Sequence, residues 1–276
     1  MTEKPPTFFS QHAIVTGGSS GIGKATAKLL FGEGANVSII ARNPEKLDAA
    51  LIEIETERRF PGQKTIAIEA DVADRFSAET AIESAISQLG SPDLFIASAG
   101  IAHPGYFPDL PVEIFEQTMA INYFGSLYCL KTIVPVMAKQ GRGHVVLISS
   151  GAGLIGIYGY TPYSASKFAL RGLAESLRGE LRVMGIGISI VYPPDTDTPQ
   201  LAAENLTKPL ETQAITGTAK MWEAEDVAGA IVRGIRTKSF IITPGLEMSI
   251  LARLHSLISP GLQRYFDSLV DGTRKK

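Results

Sequence analysis

Short apolar runs alternate with longer helical patterns along almost the whole chain, and few folds accommodate this alternation. Between the runs, apolar residues recur every three or four positions, as at Leu47, Leu51 and Ile54, which is typical of amphipathic helices. The runs themselves have the length and composition of buried strands, at residues 12–16, 36–41, 65–70, 93–98, 144–149, 187–192 and 239–243. Strands that alternate with helices form parallel sheets covered on both faces. We therefore predict an α/β fold of the Rossmann type, doubly wound, with a mainly seven-stranded parallel sheet and helices on both faces.

Composition and charge narrow the range of functions. Of the 276 residues, 45% are hydrophobic, which is enough for a sizeable core, and the alternation continues without a break. We predict a single domain over residues 1–276. A net charge of −2 supplies no broad cationic surface, which argues against a nucleic-acid partner. Four histidines and one cysteine show no spacing typical of zinc ligands, so no metal site is expected.

Two features bear on location. The N-terminal residues 1–12 lack the apolar centre of a secretory signal, and no apolar run reaches the roughly 18 residues of a spanning helix. We expect a cytoplasmic protein. Cys129 lies in an apolar run and is predicted to pack in the core.

Two regions depart from the alternation. Residues 193–221 contain four prolines among many threonines, which is typical of a mobile loop, here with one short helix. Residues 246–270 form an amphipathic tail, in which Ser249, Arg253 and Ser256 lie opposite an apolar face of Ile250, Leu251, Leu254, Leu257 and Ile258.

The first predicted strand runs directly into the glycine-rich sequence GGSSGIG at residues 17–23, and a helical pattern follows. Gly17 permits a tight turn, Gly21 lets the backbone approach a pyrophosphate, and Gly23 allows the helix to pack closely on the strand. The helix N-terminus supplies unpaired N–H groups to the anion. This order of elements predicts a dinucleotide site; a simple tight connection is the alternative.

The residue type at the end of the second strand indicates which dinucleotide binds. NAD sites place a carboxylate about 20 residues after the glycines to hold the ribose 2′-OH, whereas an arginine accommodates the 2′-phosphate of NADP. Here Ala41 is followed by Arg42 and Asn43, and Ser19 and Ser20 add hydroxyl donors. We predict NADPH as the cofactor; the alternative is a solvated arginine at the end of a strand.

Tyr163 and Lys167 are four residues apart and share one face of a predicted helix. Because a nearby ammonium lowers the pKa of a phenol, we expect Lys167 to prepare Tyr163 as a proton donor to a carbonyl oxygen. Ser149 and Ser150 end the fifth strand, at the sheet edge where the tyrosine helix and the glycine turn meet. On its own the tyrosine and lysine pair is compatible with an ordinary helix, but its neighbours favour a reductase site.

Together these residues resemble the short-chain dehydrogenase/reductase family, whose patterns are T-G-x-x-x-G-x-G and a serine thirteen residues before Y-x-x-x-K. The resemblance covers residues 10 to about 240 and selects Ser150 over Ser149. It implies a catalytic set of Asn122, Ser150, Tyr163 and Lys167. It also implies adenine contact by Asp71 and nicotinamide contact by Thr198, within a cofactor set of Gly17, Ser19, Ser20, Gly21, Ile22, Gly23, Arg42, Asp71, Val72, Ala99, Gly100, Tyr163, Lys167, Pro193, Thr196 and Thr198.

The chain departs from the family pattern at two places. Ala97 and Ser98 replace two asparagines after the fourth strand, which leaves open any contact that those amides make. Pro193 and Pro194 replace Pro-Gly after the sixth strand, and because the second proline lacks an N–H, this loop is expected to follow another path. Its sequences YPPDTDTP and ENLTKPLET resemble a branch of the family that acts in sphingolipid synthesis. That resemblance implies NADPH-dependent reduction of 3-ketosphinganine to sphinganine, with residues 193–221 covering the substrate.

Two other functions stay open. One is reduction of another lipophilic ketone, such as a steroid, a retinoid or a 3-oxoacyl thioester, because fold and catalytic set are shared. The other is NADPH binding without catalysis, as a sensor or scaffold, against which the complete catalytic set argues.

The expected partners follow from the same resemblance. It implies a homo-dimer or homo-tetramer. A long-chain ketone needs an apolar channel, and the amphipathic tail is expected either to contact the surface of a membrane or to pack on the protein. The residues expected to supply the channel are Leu201, Leu206, Leu210 and Ile215.

Overall fold

The central element of the fold is a parallel sheet of seven strands. The computed structural model describes residues 8–217 and 220–274, so residues 1–7, 218–219 and 275–276 of the predicted domain lie outside the described part. The strands of this sheet are β1 (His12–Thr16), β2 (Asn36–Ala41), β3 (Thr65–Glu69), β4 (Leu94–Ala97), β5 (Gly143–Ile148), β6 (Ile186–Val191) and β9 (Ile241–Ile242). Their order, β3-β2-β1-β4-β5-β6-β9, reverses between β1 and β4, as in doubly wound sheets. The predicted fold class is confirmed.

Helices cover both faces of the sheet, and on each face their apolar side chains pack against the strands. The helices α1 (Gly21–Gly32), α2 (Pro44–Glu55) and α9 (Ala224–Arg236) pack on the first face. Leu30 and Ile231 are fully buried in this core. The side chains of β1 and β2 are buried throughout or nearly so, which explains why the strands read as continuous apolar runs.

The second face is covered by α3 (Arg75–Leu89), α5 (Gly125–Gln140) and α6 (Thr161–Val183). Cys129 on α5 lies in this core, which confirms its predicted packing role. Burial raises the pKa of its thiol to about 12. A short helix, α4 (Val112–Met119), precedes α5 and joins it through a π-helical turn, Ala120–Phe124, which we call the π-turn.

The segment that follows β6 covers the carboxyl edge of the sheet, and we call residues 193–223 the covering segment. It contains β7 (Thr196–Asp197), α7 (Pro199–Asn205), α8 (Leu210–Thr216) and β8 (Trp222–Glu223), with β7 and β8 paired in parallel. The prediction of a loop with one short helix is therefore wrong. Two of the four prolines stand at the starts of helices: Pro199 is the first residue of α7, behind the N-cap Thr198, and Pro209 is the N-cap of α8.

The predicted amphipathic tail is α10 (Leu246–Arg274), and its apolar side chains point in two directions. Part of the helix packs on the second core through Met248, Leu251 and Ala252. An exposed stripe on the same helix consists of Leu246, Ile250, Leu254 and Leu257. The expectation of one apolar face is thus only half met, because Leu251 packs inward while Ile250, Leu254 and Leu257 face outward. Across the described residues, none of the helices is long and apolar enough to cross a membrane.

Two buried histidines lie near the amino-terminal ends of β1 and β5. His12 Nε2 is 2.7 Å from Ser38 Oγ on β2, and His144 Nε2 is 2.7 Å from Ser189 Oγ on β6. Burial lowers the pKa of both rings, that of His144 to about 4. At neutral pH the rings are therefore uncharged, and each links two neighbouring strands.

Candidate active site

A cavity of about 200 Å³ lies at the carboxyl edge of the sheet, beneath the covering segment. This is the edge at which doubly wound sheets bind ligands. The predicted site residues that the structure brings together around it are Gly17, Ser20, Gly21, Ile22, Ala99, Gly100, Ser150, Tyr163, Lys167, Pro193, Thr196 and Thr198. The predicted residues outside this lining are Ser19, Gly23, Arg42, Asp71, Val72 and Asn122. Of these, Ser19 is half-buried within the glycine turn.

The glycine turn at residues 17–23 has no room for side chains at its tightest points. Gly17 has a φ of 68°, and a Cβ there would lie 2.7 Å from the Ala99 nitrogen. A Cβ on Gly23 would lie 2.3 Å from the Gly17 carbonyl oxygen, so α1 begins directly on the turn. Ser20 is the N-cap of α1 and makes no side-chain capping bond, which leaves the first N–H groups of the helix to a ligand. A dinucleotide pyrophosphate fits this turn.

Arg42 and Asp71 lie at the outer end of the site, after β2 and β3. The Arg42 side chain is 54% exposed, and its Nη1 is 4.0 Å from Asp71 Oδ2. Asp71 Oδ1 accepts a hydrogen bond from Ala73 N at 3.0 Å, which holds the turn after β3. Val72 is buried against Gly125 at the start of α5. The guanidinium is therefore held beside one carboxylate and remains open to an anion from solvent.

Tyr163 and Lys167 lie one turn apart on α6, as their spacing predicts, and both are buried. Lys167 Nζ donates to Ile148 O at 2.9 Å and lies 5.4 Å from the centre of the Tyr163 ring. Ser150 is within hydrogen-bond reach of the Tyr163 hydroxyl. Ser149 instead points into the protein, where its Oγ donates to Lys167 O at 3.1 Å. Of the two candidate serines, Ser150 is the one beside the phenol.

The electrostatics of this group differ from the prediction. Burial raises the pKa of Tyr163, and the negative charge of Glu204 raises it further, while hydrogen bonds with Ser150 and Gln200 act the other way with smaller effect. Burial lowers the pKa of Lys167 to about 8. The expectation of a lowered pKa at Tyr163 is therefore wrong in direction, because removal of water from the phenol and the charge of Glu204 together outweigh the two hydrogen bonds.

Asn122 lies on the π-turn, fully buried, and outside the cavity lining. Its Oδ1 accepts from Ile101 N at 2.8 Å, and its Nδ2 donates to Ile101 O and to Ser166 Oγ, each at 2.9 Å. A Cβ on Gly100 would lie 3.3 Å from Asn122 Oδ1 and 3.5 Å from Lys167 Nζ. Asn122 thus ties the chain after β4 to α6, next to the buried lysine.

Thr198 connects the covering segment to the glycine turn. Its Oγ1 accepts from Leu201 N at 3.2 Å and donates to Thr196 O at 3.2 Å. Its methyl group faces Gly21, where a Cβ would lie 2.9 Å from Thr198 Cγ2. The start of α7 therefore closes the cavity against the turn.

The expected apolar channel is only partly formed. Leu201 lines the cavity and Ile215 is buried in the covering segment. Leu206 and Leu210, by contrast, are 86% and 67% exposed. The two outer leucines therefore point toward the surroundings of the protein rather than into the cavity.

Polar residues that sequence reasoning missed also line the cavity, among them Tyr160, Asp195, Gln200 and Glu204. Tyr160 stands three residues before Tyr163, a spacing that places two side chains on the same face of a helix and that could have identified Tyr160. Gln200 and Glu204 are four residues apart, which is informative only in a helix, and their segment was predicted to be mostly loop.

The packing of Gly23 makes a direct prediction. Gly23→Ala should weaken dinucleotide binding by at least about tenfold and lower the unfolding temperature, because the new Cβ meets a backbone oxygen that cannot move freely. Gly32→Ala at the end of the same helix is the matched control, because its Cβ would have no contact closer than 3.6 Å. Fluorescence titration and thermal unfolding measure the two effects; equal behaviour of the two variants would contradict the assignment.

Comparison with known proteins finds relatives over almost the whole chain. The profile of the family described as short chain dehydrogenase matches residues 11–209. A 3-ketodihydrosphingosine reductase of Bos taurus is 41% identical over 261 residues, which cover 94% of this chain and 79% of that protein. The reductase of the same name from Dictyostelium discoideum is 42% identical over 275 residues, covering 95% of this chain and 81% of that protein.

Solved structures show the same architecture. A short chain dehydrogenase/reductase from Burkholderia phymatum in complex with NAD superposes with a TM-score of 0.79 at 23% identity, over 90% of this chain and 92% of that chain. LigD in its apo form, from Sphingobium sp. strain SYK-6, superposes with a TM-score of 0.74 at 27% identity, over 96% and 97% of the two chains. The chain therefore belongs to the short-chain dehydrogenase/reductase family of oxidoreductases, which use a nicotinamide cofactor.

Proposed function

We propose that this protein reduces the ketone of 3-ketosphinganine to the alcohol of sphinganine, with NADPH as the reductant. The observation that carries the proposal is the extent of the similarity to 3-ketodihydrosphingosine reductases, which spans 94% of the chain and so continues into the covering segment. Because many members of a fold share the sheet and the proton donor, the segment over the cavity is the part that selects a substrate.

Tyr163 is the proposed proton donor to the ketone oxygen. Burial raises the pKa of its phenol, so at neutral pH the hydroxyl holds the proton that a reduction consumes. When bound, the nicotinamide supplies a hydride to the ketone carbon. Ser150 donates a hydrogen bond to the same oxygen and stabilises the negative charge that develops there in the transition state.

Lys167 is assigned two tasks, contact with the ribose next to the nicotinamide and return of the proton to Tyr163. With a pKa lowered to about 8, its ammonium exchanges protons close to neutral pH. Its bond to Ile148 O fixes Nζ at the end of β5, two residues before Ser150. Asn122 is a positioning residue, because its three hydrogen bonds fix the chain after β4 and α6 around the lysine.

The position of Arg42 favours NADPH over NADH as the cofactor. The residue stands at the end of β2, where an NAD site has a carboxylate, and its exposed guanidinium can form a bidentate pair with a phosphate. Ser19 and Ser20 in the glycine turn supply further hydroxyl donors. Asp71, beside Arg42, limits the orientations that the guanidinium takes.

The exposed stripe of α10 supports contact with a membrane surface. A substrate with a long alkyl chain resides in membranes, and α10 packs against α8 of the covering segment. Leu206 and Leu210, both exposed, extend the apolar surface within that segment. We infer that this surface rests on the membrane while the substrate enters beneath the covering segment.

The reaction itself is tested with a panel of ketones. The protein should oxidise NADPH with 3-ketosphinganine at a higher kcat/KM than with a steroid ketone or a 3-oxoacyl thioester. Tyr163→Phe should bind NADPH normally but lose at least about 100-fold in kcat, because it removes the proton donor. NADPH absorbance follows turnover, and NADPH fluorescence measures binding.

Tyr128→Phe on α5 is the control for loss of a tyrosine hydroxyl, because Tyr128 lies outside the cavity lining. It should keep the turnover of the unmodified protein. More than about a tenth of normal kcat in Tyr163→Phe would remove the phenol from this role. A preference for the steroid or the thioester would replace the proposed substrate.

Arg42→Asp should reverse part of the cofactor preference. Loss of the guanidinium and gain of a carboxylate should lower the ratio of kcat/KM for NADPH to that for NADH by about 10- to 100-fold. Arg59→Asp changes the net charge equally at an exposed arginine before β3 and should leave the ratio unchanged. An unaltered ratio in Arg42→Asp would refute the phosphate assignment.

Leu257→Asp should reduce flotation of the protein with phosphatidylcholine vesicles, because it puts a charge on the exposed stripe of α10. Ser256→Asp adds the same charge at the neighbouring exposed position and is the matched control. Both should reduce a water-soluble ketone normally. If the two variants float equally well, membrane contact does not occur through the stripe.

A further inference from the structure

A buried carboxylate, Glu204 on α7, lines the cavity and has no part in the proton transfer proposed above. The residue is only 7% exposed. Tyr160 Oη donates to its Oε2 at 2.6 Å, and Gln200 Nε2 donates to its Oε1 at 2.8 Å. Both donors are neutral side chains, so neither offsets the negative charge of the carboxylate. Such a charge is expensive to bury without a cation.

Glu204 lies close to the reacting end of the cavity. It shares the lining of the cavity with Tyr163 and Lys167, and its charge raises the pKa of both groups. The rings of Tyr160 and Tyr163 are 5.7 Å apart between centroids, and Gln200 is close enough to lower the pKa of Tyr163. The two hydrogen-bond donors to Glu204 therefore both lie next to the proton donor.

The charge balance of the lining is negative. Asp195 and Glu204 are its carboxylates, and Lys167 is its one cation among the described residues. The buried Lys208, outside the lining, acts on Asp195, so Glu204 is the carboxylate that a cation would still stabilise. Lys167 Nζ is already bonded to Ile148 O at the floor of the cavity. A ligand with a positive charge is therefore favoured at the covering-segment side, and an anionic substrate is disfavoured there.

The substrate proposed above has such a charge next to its reacting carbon. In 3-ketosphinganine the carbon adjacent to the ketone carries an amine, which is an ammonium when protonated. With the ketone oxygen between Tyr163 and Ser150, this ammonium must lie within a few bond lengths of them, on the side of either the covering segment or the cofactor. A carboxylate offers about four acceptor positions, of which Tyr160 and Gln200 use two at Glu204.

We propose that the Glu204 carboxylate binds the ammonium adjacent to the ketone and thereby selects amino-ketones over neutral ketones. This inference rests on the proposed function and adds a specificity residue to it. Tyr160 and Gln200 hold the carboxylate in place, and the ion pair fixes the ketone carbon opposite the hydride donor. A neutral ketone would leave the buried carboxylate without its cation, which lowers the affinity of the site for such ligands.

The test compares two substrates in two proteins at slightly acidic pH, where the amine is protonated. The substrates are 3-ketosphinganine and its deamino analogue, which has hydrogen in place of the amine. Glu204→Gln keeps the shape and removes the charge. It should lower kcat/KM for 3-ketosphinganine by about 10- to 100-fold, mainly through KM, and leave that for the deamino analogue unchanged or higher.

Glu211→Gln is the matched control, because Glu211 is an equally buried carboxylate on α8 that accepts from Tyr106 Oη at 2.9 Å but lies outside the lining of this cavity. Glu211→Gln should leave the ratio of kcat/KM for 3-ketosphinganine to that for the deamino analogue unchanged. NADPH titration of each variant checks that the affinity for the cofactor is unchanged.

The outcomes separate this inference from the function on which it rests. An equal loss for both substrates in Glu204→Gln would assign Glu204 a structural role and overturn the inference while leaving the function standing. Equal kcat/KM for both substrates in the unmodified protein would do the same. No reduction of 3-ketosphinganine by the unmodified protein would overturn the proposed function itself.

Discussion

Parallel pairing of β1, β4, β5 and β6 is the constraint on which the rest of this molecule depends. Parallel strands end at one edge of the sheet, so the residues that follow them meet there although they are far apart in sequence. The glycine turn follows β1, Gly100 follows β4, Ser150 follows β5 and Pro193 follows β6, and all four line one cavity. A one-residue slip of any of these strands would turn its buried side chains to the opposite face and move its contribution out of the cavity.

Local sequence patterns were sufficient to predict the sheet and the residues that follow its strands. Strands that are buried on both faces must be apolar throughout, so β1 and β5 are visible as continuous runs. The glycines were predictable because a side chain at these positions would collide with neighbouring backbone atoms, as at Gly17 and Gly23. The pairing of Tyr163 with Lys167 follows from helical spacing alone, and α6 is long enough to make that spacing unambiguous.

The covering segment was not predictable in the same way. Its helices α7 and α8 have seven residues each, about two turns, which is too short for a hydrophobic period to appear. Their prolines resemble loop residues in sequence, although Pro199 begins a helix. The role of Glu204 depends on burial and on contact with Tyr160 from another element, and neither property is encoded in residue spacing.

The predicted direction of the Tyr163 pKa shift was wrong for a related reason. Spacing predicts which side chains are neighbours, but a pKa also depends on how much water the fold removes. Around Tyr163 this removal is the largest effect and raises the pKa. The spacing argument considered only the ammonium of Lys167, which by itself would lower it. The site therefore holds a phenol that keeps its proton, beside a lysine that gives one up more readily than usual.

The two histidine and serine pairs lie toward the other edge of the sheet from the cavity. Unfolding frees these rings to bind protons below their ordinary pKa of 6.5, whereas the folded sheet keeps them neutral, so acid favours the unfolded chain. The sensitivity of the fold to acid and the acid–base chemistry of the cavity thus belong to opposite ends of the same strands. Tolerance to low pH could therefore be engineered at His12 and His144 without altering the residues that surround the substrate.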